Sequence, residues 1–134
     1  PNMTSQVHSI ARGVPDSITD IGDASSYFVF SEALSVPTGA EVDVLTFTVP
    51  PGMRFTLYLA ECSGTNVARF TVYQGASMLA RVWTWYGGPL STVFSFGPFG
   101  ARFPSGDTIK VQANHVTPTP GDFVARLVGV LEDV

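Results

Sequence analysis

From Tyr27 onward the chain alternates apolar and polar residues in short runs, each closed by residues that turn the backbone. The stretch from Val49 to Val82 carries the pattern most fully. Met53, Phe55, Leu57 and Leu59 fall at every second position, with Arg54, Thr56, Tyr58 and Ala60 between them. Ala68, Phe70 and Val72 repeat it against Val67, Arg69, Thr71 and Tyr73, and Met78, Ala80 and Val82 against Leu79, Arg81 and Trp83. Successive side chains of a strand point to opposite faces, so each run predicts a strand with one core side. Ser63-Gly64-Thr65-Asn66 and Gln74-Gly75-Ala76-Ser77 supply turn residues between them. The three strands read as an antiparallel meander.

Further strands are expected on both sides of it. Tyr27 to Leu34 opens with a continuous apolar run, which predicts burial on both faces at one end. Val42 to Val49 places Leu45, Phe47 and Val49 on one face and Val44, Thr46 and Thr48 on the other, and Pro50-Pro51-Gly52 stops it. Leu90 to Phe96 follows, then a loop from Gly97 to Gly106 holding Phe99, Arg102 and Phe103. Asp107 to Asn114 points Ile109, Val111 and Ala113 inward. Phe123 to Leu131 sets Phe123, Ala125, Leu127, Gly129 and Leu131 against Val124, Arg126, Val128 and Val130, so both its faces are largely apolar. That outer face predicts a cover, whether another sheet's edge, the N-terminal arm or a second subunit.

The sum is about eight strands with no helical period between them, which predicts an all-β, single-domain antiparallel β-sandwich and favours a jelly roll. Residues 25–134 form that domain. Residues 1–24 are polar and irregular and read as an extended N-terminal arm with a short strand near Val7 to Arg12. Val7, Ile10, Arg12 and Val14 are its expected contact residues, docking on their own domain or on a neighbouring subunit.

Composition narrows the function. At 134 residues the chain is the size of one domain. Charged residues make up only 13%, which suggests either a partly covered surface or a coat of Ser, Thr and Gln. A net charge of −4, with arginines spread singly, argues against nucleic acid as a partner. No apolar run is long enough for a membrane helix. A single cysteine, Cys62, excludes an internal disulfide and reads as a small half-buried apolar residue. The start at Pro1-Asn2 lacks a signal peptide's pattern and fits a trimmed initiator Met, hence synthesis in a cytoplasm without export.

Candidate chemistry is sparse. His8 and His115 sit in no nucleophile–base signature, and neither histidine has a pattern that joins it to Cys62. Asp16, Asp20 and Asp23 lie close together but lack the oxygen-rich loop of a calcium site. The expectation is no catalytic residue, no metal, no cofactor and no enzyme activity. The aromatic residues say more. Trp83, Trp85 and Tyr86 bunch at one strand end; with Arg81 beside them, and with Tyr58 and Tyr73 placed on one outer side of neighbouring strands, they form an expected contact surface. Phe99, Arg102 and Phe103 extend it. Trp, Tyr and Arg are enriched at interface hot spots. The same rings could instead stack on sugars, or turn inward as core.

VPPGMRFTLYLAEC, ARFTVYQG, FPSGDTIKVQANH and GDFVARLVGVLE together resemble small β-sandwich proteins of tailed bacteriophage virions. Among these the chain is most similar to jelly-roll capsid decoration, or cement, proteins, over about Val42 to Glu132. The resemblance implies a non-enzymatic structural protein, a dimer or trimer, that binds the major capsid protein on the outer surface of an assembled shell and reinforces it. It implies a virion location, and it transfers no catalytic residue. The competing expectation is a carbohydrate- or receptor-binding module of a phage fibre or tail tip.

Overall fold

A computed structural model of the chain describes residues 6–8, 24–84 and 90–134. Their ten strands are β1 (Gln6–His8), β2 (Ala24–Val36), β3 (Glu41–Thr48), β4 (Met53–Gly64), β5 (Ala68–Gln74), β6 (Ser77–Trp83), β7 (Ser91–Ser95), β8 (Ala101–Phe103), β9 (Thr108–His115) and β10 (Gly121–Asp133). Sheet 1 runs β1-β2-β10-β4-β7, with β8 also on β4; sheet 2 runs β3-β9-β5-β6. Every pairing is antiparallel.

From β2 onward, first pairs with last and second with next-to-last. β2 lies on β10, β3 on β9, β4 on β7 and β8, and β5 on β6. The chain is one long hairpin, closed at Gln74-Gly75-Ala76-Ser77 and rolled so that its legs fall into two sheets. That is the jelly roll, the architecture expected from the strand count. Gly75 sits at φ 57° in the closing turn.

The core lies between the sheets. Phe47 of β3 meets Phe55 of β4 edge-to-face at 5.3 Å, and Phe70 of β5 meets Phe123 of β10 at 5.9 Å, so aromatic contacts join the layers. Ile109, Val111, Ala113, Leu127 and Leu131 fill the space beside them. The inward sets read from alternation in β9 and β10 are observed. Gly129 of β10 is required by a close approach: a Cβ there would lie 2.2 Å from the Thr56 carbonyl and 2.6 Å from the Phe55 ring.

Several expectations are corrected. β4 and β5 do not pair; they lie in different sheets, so Ser63–Asn66 is part of a crossover and the meander reduces to the β5–β6 hairpin. Four register shifts occur among the described pairings, and three of them change a face read from alternation, because one extra residue flips every later side chain to the other face. In β3 the register steps from Asp43 to Leu45, and Val44 turns into the core beside Leu45. In β4 it steps over Tyr58, so Ala60 and Cys62 face inward and Leu59 outward. In β6 it steps over Leu79, which places Met78 on the exposed side. Cys62 is fully buried within the strand, not half-buried at its end. The outer face of β2 is open, with Phe30 38% exposed.

Of the span Val7 to Arg12, where a short strand is expected, only Val7 and His8 are described; they belong to β1, whose register sets Val7 opposite Val29 of β2. Ile10, Arg12 and Val14 lie outside the described residues.

Candidate binding faces

With the inner faces committed to the core, the two outer faces remain. On sheet 2 the register lines up Trp83 of β6, Arg69 of β5, Asn114 of β9 and Glu41 of β3 in one row across four strands. The next row is Arg81, Thr71, Gln112 and Asp43, and beyond it Tyr73 faces Lys110. Trp83 points outward and is 51% exposed, as its alternation with Val82 and Ala80 requires. The strand end carrying it is pinned from beneath. Buried Thr84 donates its backbone N–H to the Ala68 carbonyl at 2.9 Å, and its Oγ1 accepts the Ala68 N–H at 3.0 Å.

These side chains hold one another in place. The Arg69 guanidinium lies over the Trp83 ring at 5.6 Å and donates from Nη2 to Glu41 Oε2 at 2.9 Å, reaching across the strand that carries Asn114. Its Nε is buried without a hydrogen-bond partner among the described residues. Arg81 donates to the Thr71 hydroxyl at 2.9 Å, and Gln112 donates to Asp43 at 2.8 Å. The result is an aromatic ring beside a flat array of Arg, Asn, Gln, Asp and Glu groups.

The outer face of sheet 1 has the opposite character. Its central row is Phe30 of β2, Arg126 of β10, Glu61 of β4 and Val93 of β7; the row below is Phe28, Val128, Leu59 and Ser95. Arg126 pairs with Glu61 and lies 5.4 Å from the Phe28 ring. Phe30 and Val93 flank a groove of about 410 Å³ whose floor carries the Arg126–Glu61 pair.

Candidate residues named from sequence separate onto these faces. Tyr73, Arg81 and Trp83 share sheet 2. Tyr58 belongs to sheet 1 and Tyr73 to sheet 2, so the two lie on opposite sides of the molecule and not on one outer side as expected. Arg102 is exposed on β8, whereas Phe103 is fully buried against Phe55's strand and is core, not contact surface. Phe99 is 80% exposed at the tip of the turn between β7 and β8. Trp85 and Tyr86 lie outside the described residues.

Among the described side chains, Cys62 and His115 have structural roles. Burial, with the Glu61 charge second, pushes the Cys62 thiol up to about 12, which keeps it protonated and unreactive at neutral pH. His115 is buried with its ring on Phe123; its Nδ1 accepts the Thr117 N–H at 3.3 Å and its Nε2 faces the Thr119 carbonyl at 2.5 Å. The ring thereby clamps the β9–β10 loop. No group of three or more metal-ligating side chains occurs among the described residues. Asp16, Asp20 and Asp23 are outside them.

No protein-family model and no curated protein matches the chain. Solved structures with similar strand layouts include the virus-like particle of the Macrobrachium rosenbergii extra small virus, at 12% identity and TM-score 0.49, covering 87% of this chain and 84% of that one. A Bacillus endospore appendage protein matches at 8% identity and TM-score 0.46, covering 87% and 93%. The N-terminal cellulose-binding domain of Cellulomonas fimi β-1,4-glucanase C matches at 16% identity and TM-score 0.35, covering 81% and 79%. The chain is a β-sandwich module with two chemically distinct surfaces open to binding.

Proposed function

We propose that this chain is a non-catalytic recognition module and that it takes carbohydrate on the outer face of sheet 2. The observation that carries the reading is the row from Trp83 through Arg69 and Asn114 to Glu41. A sugar ring presents C–H bonds on its faces and hydroxyls around its rim. An exposed indole covers the former, while Arg, Asn, Gln and carboxylate groups, each able to make two hydrogen bonds, suit adjacent hydroxyls. Four strands spaced roughly 4.8 Å apart give a platform about 14 Å wide, suited to an extended oligosaccharide. The mutual pairing of these groups holds them in place before a ligand arrives, which lowers the entropy cost of binding.

A glycan array followed by calorimetry on its hits tests this. The wild-type chain binds a defined class of oligosaccharide. Trp83→Ala weakens it by at least about tenfold, as loss of an aromatic anchor does, and Gln112→Ala weakens it less. A blank array with folded protein rejects the reading.

The apolar outer face of sheet 1 favours a second reading, that of a decoration protein on a phage shell with the major capsid protein as its partner. Many linked weak contacts would then reinforce the shell. Co-sedimentation with assembled shells lacking the protein, and a raised disruption temperature, are expected on that reading. Failure to co-sediment removes it.

A further inference from the structure

The outer face of sheet 1 is self-complementary, and we infer that a second copy of this chain packs on it about a two-fold axis. Two ion pairs cross the strand boundary between β4 and β10 on this face. Glu61 of β4 pairs with Arg126 of β10, while Arg54 of β4 pairs with Glu132 of β10. A two-fold axis in the contact plane, running along the strands between β4 and β10, lays β4 of each copy over β10 of the other. Arg126 then faces the partner's Glu61, and Glu132 faces the partner's Arg54. Both charges of each pair gain an opposite neighbour.

The apolar positions obey the same operation. β2 and β7 flank β10 and β4, so Phe30 meets the partner's Val93, and these two are 38% and 56% exposed in the single chain. Val128 meets the partner's Leu59 in the row below. Any row across a two-fold axis brings i onto j and j onto i; on this face the positions so paired are Phe30 with Val93, Val128 with Leu59 and Arg with Glu, with no like charges opposed. A partner surface of a single charge sign would instead set one member of each pair against its like. Face-to-face sheets pack about 10 Å apart with side chains between them, and the groove between Phe30 and Val93 leaves room for that interdigitation. This inference stands apart from the carbohydrate reading, which uses the other sheet, and is an alternative to the shell-binding reading, which would use this same face.

Sedimentation equilibrium tests it by charge swap. The wild-type chain is expected to have twice its 14.3 kDa mass. Arg126→Glu and Glu61→Arg each place like charges across the axis and weaken self-association on the order of a hundredfold. Mixing the two variants restores the doubled mass, because each reversed charge again meets its opposite in the heterodimer. The mixing step separates a lost interface from lost folding, and Val93→Lys, on the exposed rim, is expected to give folded monomer as well. A monomeric or trimeric wild-type chain, single variants that stay dimeric, or a mixture that stays monomeric would each overturn the inference.

Discussion

The outer faces of the two sheets differ although their inner faces are alike. Both sheets turn Phe, Leu, Ile, Val and Ala inward. Outside, sheet 2 carries rows of hydrogen-bonded Arg, Gln, Asn, Asp and Glu ending at one exposed indole, while sheet 1 carries Phe, Val and Leu around isolated ion pairs. A core needs only volume and apolarity, so it holds little functional information. The outer faces are free of that demand, and their divergence is what the two proposals rest on: a polar platform for carbohydrate, and an apolar one for a second copy of the chain.

The comparison breaks most readily at Phe103. Its ring belongs to the shared core, so Phe103→Ala is expected to cost roughly 3–5 kcal/mol in chemical denaturation. A loss below about 1 kcal/mol would mean that the ring lies on an outer face, and sheet 1 would have to be redrawn. Cys62 tests the same inner face by pH. Its thiol ionises near 9.0 when unfolded but is held at about 12 when folded, first by burial and then by the Glu61 charge. The unfolded chain therefore loses its proton first. The stability from the neutral thiol is whole below pH 9 and is lost as pH rises toward 12, at a slope of up to about 1.4 kcal/mol per pH unit. The Cys62→Ala variant, compared in parallel denaturant titrations, is expected to lack that slope. Equal slopes would place the thiol in water.

Crossed substitutions on the outer faces sharpen the contrast with smaller effects. Trp83→Ala is expected to abolish most ligand binding and leave the solution mass unchanged. Val93→Lys is expected to change the mass and leave ligand binding unchanged. Both side chains are about half exposed, so each substitution should alter folding stability by no more than about 0.5–1 kcal/mol. A mass change from Trp83→Ala would merge the two faces into one interface and end the division of labour.

The part of this design readable from sequence is the part set by strict alternation. β9 and β10 keep period two throughout, and their inward residues follow directly from it. Where an extra residue enters the ladder, at Val44, Tyr58 and Leu79, the period is kept in sequence but lost in space. No residue type at those points announces the bulge. The rolled hairpin is non-local as well: β4 finds β10 and not β5, and no turn signal between β4 and β5 distinguishes a crossover from a hairpin. For the same reason the polar neighbours of Trp83 are not legible along the chain. Along the chain its neighbours are Val82 and Thr84, whereas across the sheet they are Arg69, Asn114 and Glu41. Phe103 reads as loop because glycines and prolines surround it in sequence, although β8 inside that loop returns to pair with β4.

The smallest expected effect belongs to the most exposed aromatic ring. Gly97, Pro98, Phe99 and Gly100 form a tight turn, closed by the Gly100 N–H on the Gly97 carbonyl at 3.2 Å, that separates β7 from β8 along β4. Gly100 is confined there by a φ of 70° and by Thr56 and Leu57, which a Cβ would approach to 2.7 and 2.8 Å. Backbone geometry therefore determines the turn, and the Phe99 ring stands outside it, 80% exposed. Phe99→Ser should leave folding stability within about 0.5 kcal/mol of wild type, since a solvated ring has little burial to lose. A lone exposed apolar ring is ordinary on a protein surface and by itself implies no partner. The same variant should therefore leave the mass and the ligand affinity unchanged if sheets 1 and 2 account for all binding. A fall in either, measured by sedimentation or calorimetry, would assign the tip to that face and extend it beyond the sheet.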